Sequence, residues 1–202
     1  MIKEIIIATC NTHKADEIKA ILEDLDIKTV QMTLLPKCPE TVEDGKTLEE
    51  NATKKAIAAS KFFGKWAIAD DTGLEVDCLK GAPGVYSARY AGQHCSFADN
   101  NKKLLAALGG VPMEKRTAKF RTVVAISSPR CETYLVSGEI FGTIAPRSAG
   151  ANGFGYDSIF CVPEYGKTFS ELGAKVKNYI SHRAIALKRA KKIIENLRIV
   201  GK

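Results

Sequence analysis

The chain of 202 residues lacks the features that mark several protein classes. Its six cysteines include no C-x-x-C pair and its three histidines show no metal-ligand spacing, so we expect neither a structural zinc site nor a dithiol redox site. No apolar run approaches the roughly 18 residues that cross a bilayer. The short apolar start contains Glu4 and is typical of a first strand and not of a signal peptide. These absences predict a cytoplasmic protein with reduced thiols and no membrane partner.

Positive charge is concentrated near the C-terminus. The net charge is +7, and residues 175–202 hold nine Lys or Arg and one acid. Such a segment can bind nucleic acid, but Tyr179 is the only aromatic residue in it that could stack on a base. We therefore favour the solvated face of an amphipathic helix and expect no nucleic-acid polymer as a partner.

The order of apolar patterns predicts an α/β fold in a single domain over residues 1–202. A continuous apolar run at 5–9 is typical of a buried strand, and the 3.6-residue periodicity of Ile18, Ile21, Leu22 and Leu25 indicates a helix after it. The later elements predicted are a strand over 27–32, helices that begin after the capping residues Thr47 and Ser96, strands over 119–127, 133–144 and 158–162, and a final helix over 180–197.

The acidic segment 69–77 is the strongest functional signal. It follows the strand-like run 66–69 and contains Asp70, Asp71, Glu75 and Asp77. A strand that ends in adjacent carboxylates delivers them to the edge of a sheet, where α/β folds bind ligands. Because unpaired carboxylates repel one another, a divalent cation or a lysine is expected beside them. The alternative is a solvated acidic turn.

A second signal is the polar turn 9–14 between the first strand and the first helix. Hydroxyls, an amide and Lys14 at a helix N-terminus suit a phosphate group, although Asn11 or Thr12 as a simple N-cap is the alternative. On the helix after Thr47, Asn51 and Lys55 are four residues apart, so we expect their side chains to point the same way.

Two further segments suit a planar base. Glycines flank Phe154 in the segment 152–157, and an aromatic ring held in this way can stack on a base, although a turn with core aromatics is the alternative. His182 and Arg183 follow Ser181 and lie near Lys177, so these cationic side chains can donate hydrogen bonds to a purine 6-oxo group. The alternative is an N-cap at Ser181 with charged neighbours.

Taken together, these motifs resemble the inosine triphosphate pyrophosphatase family over nearly the whole chain. The matching motifs are T-x-N-x-x-K from Thr9, E-N-A-x-x-K-A from Glu50, A-D-D-T-G-L-x-V-D from Ala69, G-A-P-G-V-Y-S-A-R-Y-A-G from Gly81, G-F-G-Y-D from Gly153, K-T-x-x-E-L from Lys167 and S-H-R from Ser181.

The resemblance implies an elongated mixed β-sheet with flanking helices, in two lobes around a central cleft. It implies hydrolysis of purine nucleoside triphosphates (XTP, ITP, dITP) to the monophosphate and pyrophosphate, with Mg²⁺, by a homodimer. Asp71 would be the base and, with Glu43, a metal ligand, while Asp70 and Lys55 would complete the catalytic group. The substrate contacts it implies are Thr9, Asn11, Thr12, His13, Lys14, Thr72, Phe154, Gly155, Tyr156, Asp157, Lys177, His182 and Arg183.

The chain departs from the family pattern without losing a group that the chemistry needs. Cys10 stands where many members have glycine, and Ser158 replaces a proline. Asp44 and Glu50 are close alternatives to Glu43 as a metal ligand. The rival functions are a Maf-like pyrophosphatase for modified pyrimidine or methylated guanine nucleotides, which the Phe154 and His182 motifs disfavour, and an RNA-binding protein, which would leave the acidic segment unexplained.

Overall fold

The computed structural model describes residues 2–35 and 41–200. Strands and helices alternate through much of this range, as the apolar pattern predicts. The strands are β1 (Glu4–Ile7), β2 (Lys28–Gln31), β3 (Trp66–Val76), β4 (Pro83–Gly84), β5 (Thr117–Ser127), β6 (Thr133–Ile144), β7 (Phe160–Val162) and β8 (Lys167–Thr168). The helices longer than one turn are α1 (Thr12–Leu22), α2 (Leu48–Phe63), α3 (Phe97–Ala107), α4 (Phe169–Ile180) and α5 (His182–Val200).

The strands form a mixed sheet, which confirms the predicted α/β class. Their order in the described residues is β2-β1-β3-β5-β6-β7-β8, with β4 paired to β3. β1 is parallel to both β2 and β3, whereas β7 is antiparallel to β6 and β8. The parallel part accounts for the continuous apolar run of β1, whose three isoleucines are fully buried.

The chain divides into two compact units. The first unit comprises Met1–Asp71, Thr122–Gly138 and Arg183–Lys202, and the second comprises Thr72–Arg121 and Glu139–His182. Each unit has its own apolar core. In the first, Ile5, Ile7 and Ile68 of the sheet pack with apolar residues of α1 and α5, and in the second, Phe120, Phe160 and Phe169 pack together.

Sequence-based boundaries differ from the structure by one or two residues at β2, β5 and β7, and two further differences change the elements themselves. β3 does not end at Ala69 but continues to Val76, because Leu74 and Glu75 pair with β4. The last helix begins at His182 and not at residue 180, and the chain before it forms α4, which the sequence did not predict. Gly173 inside α4 has φ of 72°, so the helical periodicity is broken there.

Three basic side chains of α5 make contacts inside the first unit. Arg189 donates to the carbonyl oxygen of Ser137 over 2.6 Å, Lys191 pairs with Asp24, and Arg198 donates to the carbonyl oxygen of Asp26. Part of the C-terminal positive charge therefore docks this helix, which weakens the RNA-binding alternative. No helix among the described residues is long and apolar enough to cross a membrane. Cys10, Cys78, Cys95, Cys131 and Cys161 are free thiols, and Cys38 lies outside the described residues.

Replacing Leu187 by alanine tests the core of the first unit. Leu187 is fully buried on α5, so Leu187→Ala should lower the free energy of unfolding by about 2–5 kcal/mol. Ile199→Ala, at a residue 67% exposed on the same helix, should change it by less than about 0.5 kcal/mol. Urea titrations of both variants provide the measurement, and equal midpoints would contradict this packing.

Candidate functional site

Two adjacent aspartates on β3 form the centre of the site in the first unit. Asp70 is 1% exposed and Asp71 is 7% exposed, so neither belongs to a solvated turn. Successive side chains of a strand point to opposite faces. Accordingly, Asp70 contacts side chains of α1 and α5, whereas Asp71 contacts side chains of α2.

Asp70 lies between two cationic groups. Its Oδ2 is 3.1 Å from Lys14 Nζ on α1 and accepts a hydrogen bond from Arg183 Nε on α5, also over 3.1 Å. Burial would raise the pKa of Asp70, but Lys14 and Arg183 outweigh it and hold that pKa well below its ordinary value. Burial lowers the pKa of Lys14, and Asp70 opposes this only in part. Asp70 is therefore a permanent anion that fixes two cations.

The other end of the Arg183 guanidinium contacts an acid that the sequence did not single out. Arg183 Nη1 donates to Glu17 Oε2 over 2.7 Å, and Arg183 is only 2% exposed. Glu17 lies three residues after Lys14 on α1, so the two side chains share one helix face. This i, i+3 spacing from Lys14 is the signal that could have identified it.

Asp71 is oriented by an amide and a lysine of α2. Asn51 Nδ2 donates to Asp71 Oδ2 over 3.0 Å, and Lys55 Nζ lies 3.7 Å from Asp71 Oδ1. Both α2 side chains reach one carboxylate, as their i, i+4 spacing predicts. Asn51 is itself fixed, because its Oδ1 accepts from the Gly45 amide over 2.8 Å. Burial raises the pKa of Asp71, with Lys55 opposing, so this carboxylate is more basic than a solvated one.

Glu43 is the second carboxylate at Lys55. Its Oε1 lies 3.0 Å from Lys55 Nζ. Burial would lower the pKa of Lys55, but Asp71 and Glu43 outweigh it and raise that pKa. The two alternatives to Glu43 are engaged elsewhere, since Asp44 pairs with Lys54 and Glu50 accepts from the Lys46 amide.

Asp71 and Glu43 both contact the ammonium group of Lys55, so oxygen atoms of these two carboxylates can bind the same cation. Mg²⁺ prefers such ligands and typically uses one or two carboxylates together with phosphates and waters. No group of three or more His, Cys, Asp or Glu side chains within residues 2–35 and 41–200 could hold a metal by itself. Two carboxylates match the small number of protein ligands that Mg²⁺ takes.

The polar turn before α1 contains the N-cap that the sequence offered as one alternative. Asn11 caps the helix by accepting from the Lys14 amide, and Thr9 Oγ1 accepts from the Asn11 amide over 3.1 Å. Thr12 and His13 lie in the exposed first turn, which contains no acidic residue. The positive end of the α1 dipole and Lys14 therefore lie at the same end of the helix.

A separate cluster in the second unit contains the aromatic segment. Asp157 Oδ2 accepts from the Phe154 amide over 2.9 Å and from Lys177 Nζ over 2.6 Å. Lys177 Nζ also lies 4.4 Å from the centroid of the Phe154 ring, a cation–π geometry. Tyr156 is turned inward, where its hydroxyl donates to the Ser87 carbonyl and burial raises its pKa.

His182 and Thr72 complete the residues predicted from the sequence. The His182 ring is 3% exposed and stacks on Phe120, with centroids 4.5 Å apart and planes at 16°. Thr72 follows Asp71 on β3 and is partly buried. Asp157, Lys177 and His182 are thus buried polar residues, and Lys177 and His182 each contact an aromatic ring.

Comparisons with known proteins agree on one family. The model of the Ham1 family matches residues 5–193. The chain is 47% identical to a dITP/XTP pyrophosphatase of Desulforamulus reducens, over 97% of this chain and 98% of that one. It is 49% identical to a dITP/XTP pyrophosphatase of Geobacter sulfurreducens, over 91% and 92% of the two chains.

Solved structures show the same similarity. A HAM1 protein from Coxiella burnetii has a TM-score of 0.89 at 39% identity and covers 97% of this chain and 100% of its own. The Ham1 protein of Staphylococcus aureus has a TM-score of 0.87 at 42% identity, with coverage of 96% and 99%. The resemblance found in the motifs is confirmed, and the chain belongs to the Ham1 family.

Proposed function

We propose that this chain hydrolyses the non-standard purine nucleoside triphosphates dITP, XTP and ITP to the monophosphate and pyrophosphate, with Mg²⁺. The observation that carries the proposal is the pair of buried aspartates on β3, each beside a lysine: Asp70 contacts Lys14 and Asp71 contacts Lys55. The names of the relatives above, dITP/XTP pyrophosphatases, support the substrate class.

In this proposal the triphosphate binds at the N-terminus of α1. The turn from Thr9 to Lys14 offers backbone amides, hydroxyls and the helix dipole to phosphate oxygens. Lys14 and Lys55 balance the charge of the pyrophosphate as it leaves. Asp70, with Arg183 and Glu17 behind it, keeps Lys14 in place.

Asp71 takes the proton of the attacking water. A carboxylate whose pKa is raised by burial accepts a proton more readily than a solvated one, and Asn51 fixes its orientation. Asp71 and Glu43 would hold Mg²⁺. When bound, Mg²⁺ neutralises phosphate oxygens and acidifies water.

The purine binds at the cluster of the second unit. Phe154 offers a ring for stacking, and Gly155, Tyr156 and Asp157 shape the same loop. Lys177, His182 and Arg183 are the donors we assign to the 6-oxo acceptor, whereas ATP carries an amino donor there. Arg183 has an additional role through its contact with Asp70. Thr72 is assigned to the substrate without a more specific role.

The motif resemblance also supports a homodimer located in the cytoplasm. Neither the phosphate contacts nor the base contacts proposed above require a particular oligomeric state.

Substitution of Asp71 tests the catalytic assignment. Asp71→Asn keeps the shape of the side chain but removes the base, so kcat for ITP should fall by roughly 10²–10⁴ while ITP still binds. Pyrophosphate release and calorimetric binding of ITP are the two measurements. Glu75→Gln is the matched control. Glu75 lies on the same strand as Asp71, and its carboxylate pairs with Lys119 in the second unit. Near-normal kcat in Asp71→Asn would contradict the assignment.

Removal of metal tests whether the reaction needs the Mg²⁺ that we place at Asp71 and Glu43. Exhaustive dialysis against EDTA should reduce ITP hydrolysis at least about 100-fold, because several kcal/mol of charge stabilisation are lost. Added Mg²⁺ should restore the rate. Full activity in excess EDTA would refute the need for a metal.

Arg183 tests base selectivity. Because its loss leaves a 6-oxo acceptor without a donor, Arg183→Ala should lower kcat/KM for ITP roughly 10- to 100-fold and narrow the ratio of ITP to ATP activity. Arg189→Ala, on the same helix, removes a guanidinium that donates to Ser137 and should leave the ratio unchanged. If Arg183→Ala lowers ITP and ATP hydrolysis by the same factor, its function is confined to holding Asp70.

A further inference from the structure

The loop that carries Phe154 and Gly155 has a backbone that needs external support. Gly153 and Gly155 both have positive φ, at 81° and 62°. Glycine reaches this region without strain but also leaves it easily, since it has the largest backbone freedom of any residue. A Cβ at Gly153 would lie 2.3 Å from Asp157 Oδ2, so this position cannot be stiffened by a larger residue.

The side of this loop that faces α3 borders a cavity of about 540 Å³, whose lining includes Phe97 and Leu105 of α3 together with Phe154 and Gly155 of the loop. Across it the Phe97 and Phe154 rings make an aromatic contact, with centroids 6.2 Å apart. Hydrogen bonds from α3 add to this contact.

Asn101 of α3 supplies them. Its Nδ2 donates to the Gly155 carbonyl oxygen over 3.0 Å and to Ser158 Oγ over 3.2 Å. The side chain is 9% exposed, so water competes little for these bonds. Ser158 gives Asn101 a hydroxyl acceptor at the end of the loop.

We infer that Asn101 is a positioning residue for the purine: it holds Gly155 in the left-handed conformation and thereby places Phe154 for stacking. This inference rests on the proposed function, because the loop matters only if it binds the base. Asn101 touches no reacting atom, so its loss should weaken binding of the base and leave the chemical step intact.

The neighbouring residue offers a matched control. Asn100 is also buried on α3, but its Nδ2 donates to the Ala88 carbonyl oxygen and its Oδ1 accepts from the Ala91 amide. Asn100→Asp and Asn101→Asp make the same chemical change one residue apart. Each keeps the side-chain shape, removes the N–H donors and adds one negative charge to the same helix.

The experiment compares binding of the two halves of the substrate. In Asn101→Asp the Kd of IMP should rise about ten-fold, because the partly buried Gly155 carbonyl loses its donor. The inhibition constant of pyrophosphate, which reports the phosphate half alone, should change less than two-fold. KM for ITP should rise about as much as the Kd of IMP, with kcat at saturating ITP within about two-fold of the wild type. Asn100→Asp should leave all four constants near their wild-type values.

The outcomes separate this inference from the proposed function. If the wild type neither binds IMP nor hydrolyses ITP, both are wrong. If the wild type does both and Asn101→Asp keeps its IMP affinity, or if Asn100→Asp loses as much, the positioning role of Asn101 is wrong and the proposed function stands. Melting temperatures identify a variant that fails to fold. In that case Asn101→Ala, which lacks the added charge, replaces it and should show the same rise in IMP Kd.

Discussion

Asp70 and Asp71 are buried side by side on one strand, and each needs a partner because an unpaired buried carboxylate costs several kcal/mol. The alternation of the strand divides this requirement between its two faces. On one face Lys14 and Arg183 bring α1 and α5 to Asp70, and on the other Asn51 and Lys55 bring α2 to Asp71. The positions of α1, α2 and α5 in the first unit thus depend on their contacts with Asp70 and Asp71.

The same division gives the two carboxylates different chemistry. Two close cations hold the pKa of Asp70 low, so Asp70 remains charged and serves as an anchor. Asp71 has a neutral amide and a more distant lysine, and burial raises its pKa. Carboxylates whose environments push their pKa values apart commonly divide supporting and acid–base roles between them. On these grounds we propose that Asp70 holds the two cations in place and that Asp71 acts as the base.

Local signals in the sequence predicted most elements of the fold but few of the contacts in the site. The caps at Asn11, Thr47 and Ser96 and the apolar periodicity of α1 act within a few residues, so they are visible in the sequence. The contact of Asp70 with Arg183 joins residues 113 positions apart, and only the folded chain reveals it. The same reason explains the missed extension of β3, since its acids look solvated until their partners are known. Motif resemblance predicted the residue types of the site, whereas the contacts of Glu17 with Arg183 and of Asn101 with Gly155 join residues far apart in the sequence.

The most direct test of the proposed substrate class is to compare the rates of hydrolysis of several nucleoside triphosphates. Initial rates of monophosphate and pyrophosphate formation would be measured for dITP, XTP and ITP beside ATP and dTTP, with Mg²⁺. We expect kcat/KM for the first three to be at least about 100-fold above that for ATP and dTTP, with equal amounts of monophosphate and pyrophosphate. Comparable rates for ATP, a preference for dTTP, or release of orthophosphate instead of pyrophosphate would contradict it.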